Sequence, residues 1–391
     1  VVGIHGAHGD ITNTHYVGGS FMSIARSLLC APMVAVALGL TVPAHAANTI
    51  WPARATVQSE MISDYRSLRC PHAPPAAYTG TLQIDSKYDQ RDATKSTLRR
   101  LSRESRQIRE RLTQYQAGLM QIVTRFERAS EPEEVNYSLA CLDQWLEAWA
   151  GPGALLSTDT SSTGKAVRKW SLAAIAAGVM KVRALSDNEY ELTLAQRDWI
   201  RRLTDAVIAD YGPRQTLSFA WFNNHDYWAA WAVSASAMLL DRDDYLRWAN
   251  TTFGLAFSQM EPGEAGDYRQ LPLETARGEL AVEYTHYALI PLVLLAETAE
   301  ANGRPLTAIE RQQLGQLVNF AVLGVQSPER LPELTEPQKR PGEHKMIWLL
   351  PFLKLQPEHP LARSLFRDVK DETGSYSQVG GDIHFFYMDI E

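Results

Sequence analysis

Apolar residues recur at helical spacing along most of this 391-residue chain. In one long stretch, Leu101, Ile108, Leu112, Leu119 and Phe126 follow one another at steps of four or seven residues, with charged residues between them. Turn signals containing Gly and Pro separate such stretches, and strand-like alternation is confined to residues 383–388. The pattern predicts helices over residues 95–129, 133–150, 165–185, 193–211, 225–240, 242–260, 275–301, 307–323 and 344–355.

Many helices joined by short breaks, without a repeat of fixed length, predict an all-α fold. Antiparallel helical hairpins of this kind build either a toroid or an irregular solenoid. No linker indicates a second domain after residue 46. The Pro-rich segment 71–79 is predicted to cross the surface as an N-terminal arm.

The N-terminal region has the pattern of an export signal. Residues 22–46 contain a basic start, an apolar run and an Ala-x-Ala site, which predicts a signal peptide cleaved after Ala46. The apolar run, residues 28–40, is too short to span a bilayer, so no membrane association is expected. Residues 1–21 are interpreted as translated upstream sequence. The mature protein, residues 47–391, is then expected in the periplasm as one domain and as a monomer.

Cysteine usage agrees with export. Cys30 falls in the predicted signal peptide, which leaves Cys70 and Cys141 in an oxidising compartment. One disulfide between them is predicted, with two buried thiols as the alternative. Neither cysteine has the spacing of a zinc site, and no metal or cofactor is expected.

The net charge of -7 argues against a nucleic-acid partner. A protein of this charge that binds a polyanion has to concentrate its Lys and Arg residues in the binding cleft. The expectation therefore concerns where the basic residues lie and not how many there are.

Chemistry-bearing residues cluster in two stretches. The run NNHDYWAAW at 223–231 places Asn224 and His225 at the start of an Ala-rich helix. A helix that serves only for packing does not require an amide and an imidazole at its first turn. Arg277 and Tyr284 are seven residues apart, close to two helical turns, so one helix would present both on the same face.

These groups suit β-elimination on a uronate polymer. The proton on C5 is hard to remove because the adjacent carboxylate is negative, so donors such as Asn, His and Arg have to neutralise that charge first. Tyr and His side chains can then carry the protons that leave C5 and reach the departing oxygen.

Four spaced segments resemble the periplasmic alginate lyases of polysaccharide lyase family five. They are residues 86–88, 163–170, 223–231 and 274–287, in the same order as in the family. The resemblance extends from about Cys70 to the C-terminus. It implies an incomplete α/α toroid with a lid loop, and alginate as the polymer.

The resemblance also implies residue roles. Asn224 and His225 correspond to the family's catalytic pair, Arg277 to its carboxylate-neutralising arginine, and Tyr284 to its general acid. On mannuronate, Tyr284 would also act as base, because the C5 hydrogen and the C4 oxygen lie on one side of the ring. On guluronate they lie on opposite sides, and His225 would be the base.

Other residues are candidates for substrate contact. Two belong to the implied lid, several aromatic residues could stack on sugar rings, and two are basic. Each also has a structural interpretation, such as core packing for a helical Trp or solvation for a surface Lys. The candidates are Lys87, Tyr88, Trp145, Trp149, Arg168, Lys169, Trp228 and Tyr287.

Two positions depart from the family pattern. Asp226 stands where Ser is expected, and it either brings a negative charge near the site or caps the helix. Gln378 stands where Arg is expected, which removes one candidate contact with a sugar carboxylate.

The leading hypothesis is a mannuronate-preferring alginate lyase that forms 4,5-unsaturated ends and has the alginate export machinery as a candidate partner. One alternative is a lyase for another polyuronate on the same fold. The other is a non-catalytic polysaccharide-binding or scaffold protein, which the departures at Asp226 and Gln378 motivate.

Overall fold

The computed structural model describes residues 47–369 and 373–390. The predicted signal peptide and the segment before it lie outside the described residues. A short antiparallel hairpin, β1 (Glu261–Pro262) and β2 (Arg269–Gln270), accompanies a fold made of helices, which confirms the all-α expectation. The α-helices of the described part are α1 (Val57–Glu60), α2 (Arg103–Arg128), α3 (Pro132–Ala150), α4 (Ser162–Leu185), α5 (Leu194–Tyr211), α6 (Asn224–Leu240), α7 (Asp243–Ser258), α8 (Pro272–Thr275), α9 (Ala281–Ala301), α10 (Ala308–Gln326), α11 (Leu349–Leu355) and α12 (Pro360–Val369).

The helices form an inner and an outer layer. Helices α4, α6 and α9 are buried on nearly every side, and α6 packs against α4, α5, α7 and α9. Helices such as α2 and α7 bury one face and keep a polar face outside. The Ala-rich sequence of α6 has small side chains that let neighbouring helices approach from several directions. The polar residues at its first turn therefore lie among buried neighbours.

Helix α9 is long and strongly apolar. The helical stretch Gly278–Ala301 could cross a membrane by length and composition alone, but 83% of its apolar window is buried inside the protein. Its composition is that of a helix at the centre of a fold.

The segment before α2 is not helical, contrary to the prediction of a helix from residue 95. Helix α2 begins at Arg103 because Ser102 caps it, its side chain accepting the Ser105 N–H at 3.1 Å. Residues 87–99 instead form a loop closed by two backbone hydrogen bonds, Asp89 N–H to the Thr97 carbonyl and Arg99 N–H to the Lys87 carbonyl, both 2.9 Å. We call residues 87–99 the lid.

The predicted helix over 275–301 is also wrong in its first turns. Helix α8 ends at Thr275, Gly278 takes a left-handed conformation with φ of +58°, and α9 begins only at Ala281. Residues 383–388 do not form a strand, because His384–Phe386 is a 3₁₀ turn. Helix α12 was not predicted, although Pro360 stands at its first position.

The N-terminal arm is fixed to α3. Cys70 and Cys141 form a disulfide with their Cα atoms 4.7 Å apart, which confirms the predicted pairing. Two indoles of α3 donate to arm carbonyls, Trp145 Nε1 to His72 at 2.8 Å and Trp149 Nε1 to Pro75 at 2.9 Å. The arm therefore has a covalent and a hydrogen-bonded attachment to the same helix.

Candidate active site

The first turn of α6 is held by a capping box. Asn223 is the N-cap, its side-chain oxygen accepting the His225 N–H at 3.0 Å, while the Asp226 carboxylate accepts the Asn223 N–H at 3.0 Å. Arg214 donates to the same carboxylate at 2.7 Å. Burial raises the pKa of Asp226, and Arg214 opposes that shift. Asp226 is thus a helix cap with a compensating cation, the second of the two interpretations made from the sequence.

Asn224 is bound to a buried acid from α8. The Asn224 N–H lies 2.8 Å from Glu274 Oε1, and Asn224 Nδ2 lies 3.0 Å and 2.9 Å from Oε1 and Oε2. Both residues are 1% exposed. Burial raises the pKa of Glu274 to about 7, although the Asn224 donors and Arg277 oppose the shift.

His225 is bound to a buried lysine from α4. Lys169 Nζ lies 2.8 Å from His225 Nδ1, 2.9 Å from the His225 carbonyl oxygen and 3.1 Å from Tyr211 Oη. Burial lowers the pKa of Lys169, and burial together with Lys169 lowers the pKa of His225. His225 Nε2 has no hydrogen-bond partner within residues 47–369 and 373–390. One ring nitrogen is therefore fixed and the other is left for a ligand.

Arg277 and Tyr284 meet even though they are not on one continuous helix. The Arg277 guanidinium carbon lies 3.9 Å from the centre of the Tyr284 ring and 5.4 Å from that of Tyr88. Arg277 Nη2 donates to the Lys95 carbonyl of the lid at 2.8 Å.

The charge of Arg277 has no carboxylate partner in the described part of the chain. Its acidic neighbours are engaged elsewhere, Glu274 with Asn224 and Glu279 with Lys339. Neither acid therefore forms an ion pair with Arg277. An unpaired guanidinium beside a phenol is a binding group for an incoming anion.

The lid reaches the phenol of Tyr284. Tyr284 Oη donates to Tyr88 Oη at 3.0 Å, and Lys87 Nζ lies 4.8 Å from the Tyr88 ring. Burial raises the pKa of Tyr284, and Arg277 opposes the shift. Tyr284 is consequently a protonated phenol at neutral pH. The lid brings Tyr88, with Lys87 beside its ring, to Arg277 and Tyr284 from a distant part of the sequence.

A wall of aromatic rings and one lysine extends from Tyr284. Tyr287 lies edge-on to Tyr284 at 6.1 Å, and Lys345 Nζ is 5.5 Å from the Tyr287 ring. Tyr376 approaches Tyr287 at 6.5 Å. Trp228 lies behind Tyr287, at 5.1 Å, and is fully buried. Tyr287 therefore borders the group, whereas Trp228 supports it from the core.

The C-terminal turn packs closely on α4. Gly380 has a φ of +84°, and a Cβ there would lie 2.8 Å from the Ala177 carbonyl oxygen, so only glycine fits without a shift. The Gln378 carbonyl accepts the Trp231 indole N–H at 2.8 Å, and the Gln378 side-chain oxygen accepts from Ser377 at 2.9 Å. Gln378 thus takes part in fixing this turn.

Three of the predicted substrate-binding residues lie away from this group. Trp145 and Trp149 pack on Tyr115 in the core and bind the arm through their indole nitrogens. Arg168 is 3% exposed and donates to Asp210 at 2.8 Å and to backbone carbonyls. We assign all three to the structure of the fold, because their polar atoms already have partners inside it.

Comparison with known sequences identifies the same family as the four motifs did. A family profile described as alginate lyase matches residues 83–331. The alginate lyase of Pseudomonas putida strain KT2440 is 31% identical over 331 residues, which cover 82% of this chain and 85% of that protein. The chain belongs to the alginate lyase family.

Solved structures of alginate lyases share the fold. Alginate lyase A1-III from Sphingomonas species A1 has a TM-score of 0.60 at 20% identity and covers 86% of this chain and 95% of its own. A variant of A1-III in complex with a tetrasaccharide has a TM-score of 0.57 at 20% identity, with coverages of 77% and 82%. The shared fold confirms the expected α/α toroid.

Several residues of this alginate lyase site were not picked out as candidates from the sequence. Trp170 lies 5.6 Å from the His225 ring, Lys345 and Tyr376 border Tyr287, and Glu274 binds Asn224. Trp170 and Glu274 fall inside the segments that carry the family resemblance, which is a signal that could have found them. Lys345 lies in a part of the sequence where no motif was recognised, and Tyr376 lies two residues before Gln378, in the segment that was compared with the family only at Gln378.

Proposed function

We propose that this alginate lyase cleaves 4-O-linked uronate polymer by β-elimination and prefers mannuronate-rich stretches. The observation that carries the proposal is the unpaired Arg277 guanidinium, 3.9 Å from the ring of Tyr284, with His225 and Asn224 nearby on α6. The arrangement combines an anion-binding cation with a phenol that can move protons.

The first requirement is to weaken the negative charge of the uronate carboxylate. Arg277 supplies a cation that has no carboxylate partner in the described chain, and His225 Nε2 and the Asn224 amide supply uncharged polar groups. Donors held in place before the reaction stabilise the charge that develops on the carboxylate as C5 loses its proton.

The second requirement is to move two protons. On mannuronate the C5 hydrogen and the C4 oxygen lie on the same side of the sugar ring. As the C5–H bond breaks, its proton goes to Tyr284 Oη, and the Tyr284 hydroxyl proton goes to the leaving C4 oxygen. The electron pair of the C5–H bond forms the C4–C5 double bond, and the C4–O bond breaks. Tyr284 begins and ends as a neutral phenol, which agrees with its raised pKa.

The contact between Lys169 and His225 supports the preference for mannuronate. As an ammonium, Lys169 has three hydrogens and three neighbouring acceptors, so His225 Nδ1 accepts and the ring proton sits on Nε2. A neutral amine that accepts from Tyr211 gives the same result. His225 Nε2 is then a donor, suited to a carboxylate and not to removing the guluronate proton from the opposite face.

We propose further that the protein is exported and acts as a periplasmic monomer on anionic polysaccharide. The signal-peptide pattern at 22–46 supports export, as does the Cys70–Cys141 disulfide, because such bonds persist in oxidising compartments. Alginate export machinery is the candidate partner.

The test is the ultraviolet absorbance of the conjugated unsaturated uronate when residues 47–391 act on mannuronate-rich, guluronate-rich and acetylated alginates. We expect the fastest rise on mannuronate-rich polymer and, with Tyr284→Phe, a rise at least about a hundredfold slower. Folded protein that binds alginate without any rise would favour a binding or scaffold role. A rise only with a different polyuronate would change the substrate and keep the reaction.

A further inference from the structure

The side-chain amide of Asn224 is oriented unexpectedly for a group that meets an anion. Its Nδ2 lies 3.0 Å and 2.9 Å from the two carboxylate oxygens of Glu274. Its Oδ1 is buried and has no hydrogen-bond partner in the described residues. Buried polar atoms without a partner are rare in folded proteins, and one beside a substrate site calls for an explanation.

The orientation conflicts with the role that Asn224 has in the proposed reaction. A uronate carboxylate only accepts hydrogen bonds, so it requires Nδ2 and would be repelled by Oδ1. Turning the amide by half a rotation exchanges the two ends with little change of shape. Oδ1 would then face Glu274, and two acceptors can lie together only if one of them carries a proton.

We propose that Glu274 takes up a proton when substrate binds, donates it to Asn224 Oδ1, and so holds the Asn224 amide donor toward the uronate carboxylate. The proposal rests on the function proposed above and makes Glu274 a positioning residue. In this state Glu274 Oε1 still accepts the Asn224 backbone N–H, and its other oxygen carries the proton. Every polar atom of the pair then has a partner.

The electrostatic surroundings of Glu274 make such a change accessible near neutral pH. Arg277, from the turn after α8, favours the charged form, and Asp226, from α6, disfavours it. The phenols of Tyr227 on α6 and Tyr284 on α9 also feel the Glu274 charge. Burial is the largest influence and places the pKa at about 7. A substrate carboxylate brought next to Asn224 raises it further, since like charges disfavour ionisation.

Glu274→Gln is the informative variant. Glutamine has the shape of a protonated glutamate, with an oxygen for the Asn224 backbone N–H and an amide that donates permanently to Asn224 Oδ1. Glu274→Ala removes both contacts. The proposal therefore predicts opposite results for two variants that both remove the negative charge.

The first experiment measures KM on mannuronate-rich alginate from below to above neutral pH. In the wild-type protein we expect KM to rise above about pH 7, approaching tenfold per pH unit, because substrate binding then requires proton uptake. With Glu274→Gln we expect a KM near the low-pH wild-type value that no longer rises. The matched control is Glu279→Gln, which removes a nearby acid paired with Lys339 and should keep the wild-type profile.

A Glu274→Gln profile identical to the wild-type profile would overturn the proposal. A KM as high as that of Glu274→Ala at every pH would also overturn it, because the glutamine would then be failing to position Asn224.

The second experiment does not depend on turnover. Calorimetric binding of mannuronate oligomers to Tyr284→Phe, in buffers with different ionisation enthalpies, reports the protons taken up. We expect about one proton per site at about pH 8, and almost none when Glu274→Gln is added. Equal uptake in both backgrounds would overturn the proposal while leaving the lyase function intact. A wild-type protein that neither binds nor cleaves alginate would overturn both.

Discussion

The two sides of the candidate site are held in different ways. On one side, Asn224 and His225 start α6 and are bound to the buried residues Glu274 and Lys169. We call these four residues the α6 half. On the other side, the lid reaches the site through Tyr88 Oη and the Lys95 carbonyl. We call Lys87, Tyr88, Lys95 and Arg277 the lid half, and Tyr284 lies between the two.

The difference indicates a division of labour. Dipoles that stabilise developing charge are most effective when they do not have to reorganise, and His225 meets this condition through its hydrogen bond to the buried Lys169. The lid has its own internal support, because the Asp92 carboxylate accepts the N–H groups of Thr94, Ser96 and Thr97 at 2.8–2.9 Å. We expect changes at His225 and Lys169 to alter the chemistry, whereas changes to the lid, and to Glu274 through Asn224, should alter binding.

The largest effect should come from Tyr284→Phe, which removes the group between the halves. We expect kcat to fall by about 10²–10⁴-fold, the usual contribution of a positioned proton donor, with little change in oligomer affinity. Rates come from the absorbance of unsaturated product and affinities from calorimetry. Tyr287→Phe is the matched control and should cost less than about tenfold, because its hydroxyl carries no proton in the mechanism. Equal losses of kcat in both variants would contradict the proton-transfer role of Tyr284.

Lys169→Met tests the α6 half. Loss of the hydrogen bond to His225 Nδ1 should lower kcat/KM on mannuronate-rich polymer by about 10–100-fold, which corresponds to roughly 1.4–2.7 kcal/mol. It should also change the tautomer of His225 seen in ¹⁵N spectra. Lys165→Met, on the same helix but in an ion pair with Asp210 and not bound to His225, should do neither. An unchanged His225 spectrum would show that Lys169 only fills space.

Asp92→Ala tests the lid half. Without the carboxylate that gathers three N–H groups, the lid should lose its shape, and KM should rise by about three- to tenfold while kcat stays within about twofold. Asp89→Ala is the control, since Asp89 binds Arg91 and not the three N–H groups that Asp92 gathers. A fall in kcat without a change in KM would assign chemistry to the lid and break the comparison.

The smallest effect on activity should come from the double variant Cys70→Ser/Cys141→Ser. The disulfide closes a long loop, with its cysteines 71 residues apart, and its loss should lower the free energy of unfolding by about 2–4 kcal/mol, measured by denaturant titration. Steady-state activity below the unfolding range should be unchanged. A rise in KM would instead show that substrate binding depends on the arm and its disulfide as well as on the lid half.

Local signals in the sequence were enough for the inner helices and for the start of α6. Helical periodicity predicted α4, α6 and most of α9, because hydrophobic spacing is a property of each segment by itself. The family resemblance brought Asn224, His225, Arg277 and Tyr284 together as candidates, and the structure places Arg277 against Tyr284 and gives Asn224 and His225 buried partners. The disulfide followed from there being two cysteines outside the predicted signal peptide.

What the sequence missed depends on tertiary contacts. Leu98 and Leu101 fit a helical pattern, but hydrogen bonds across the lid hold the chain before Ser102 in another shape. Trp145 and Trp149 were candidates for stacking on sugar rings, but their indole N–H groups donate to backbone carbonyls of the arm. Lys169 was a candidate for substrate contact, with surface solvation as the alternative, but it is buried and bound to His225, 56 residues later in the chain.

The left-handed turn at Gly278 has a consequence for how such an enzyme can diverge. Inserting one residue inside an α-helix rotates every following side chain by about 100°, which would scramble the packing of a central helix such as α9. Arg277 precedes that helix and is separated from it by the left-handed Gly278 and a short 3₁₀ turn, Gly278–Leu280. Insertions or deletions in residues 276–280 can therefore lengthen or shorten the separation between guanidinium and phenol while the toroid stays intact. Variation in subsite geometry among related lyases has a place to accumulate there without loss of the fold.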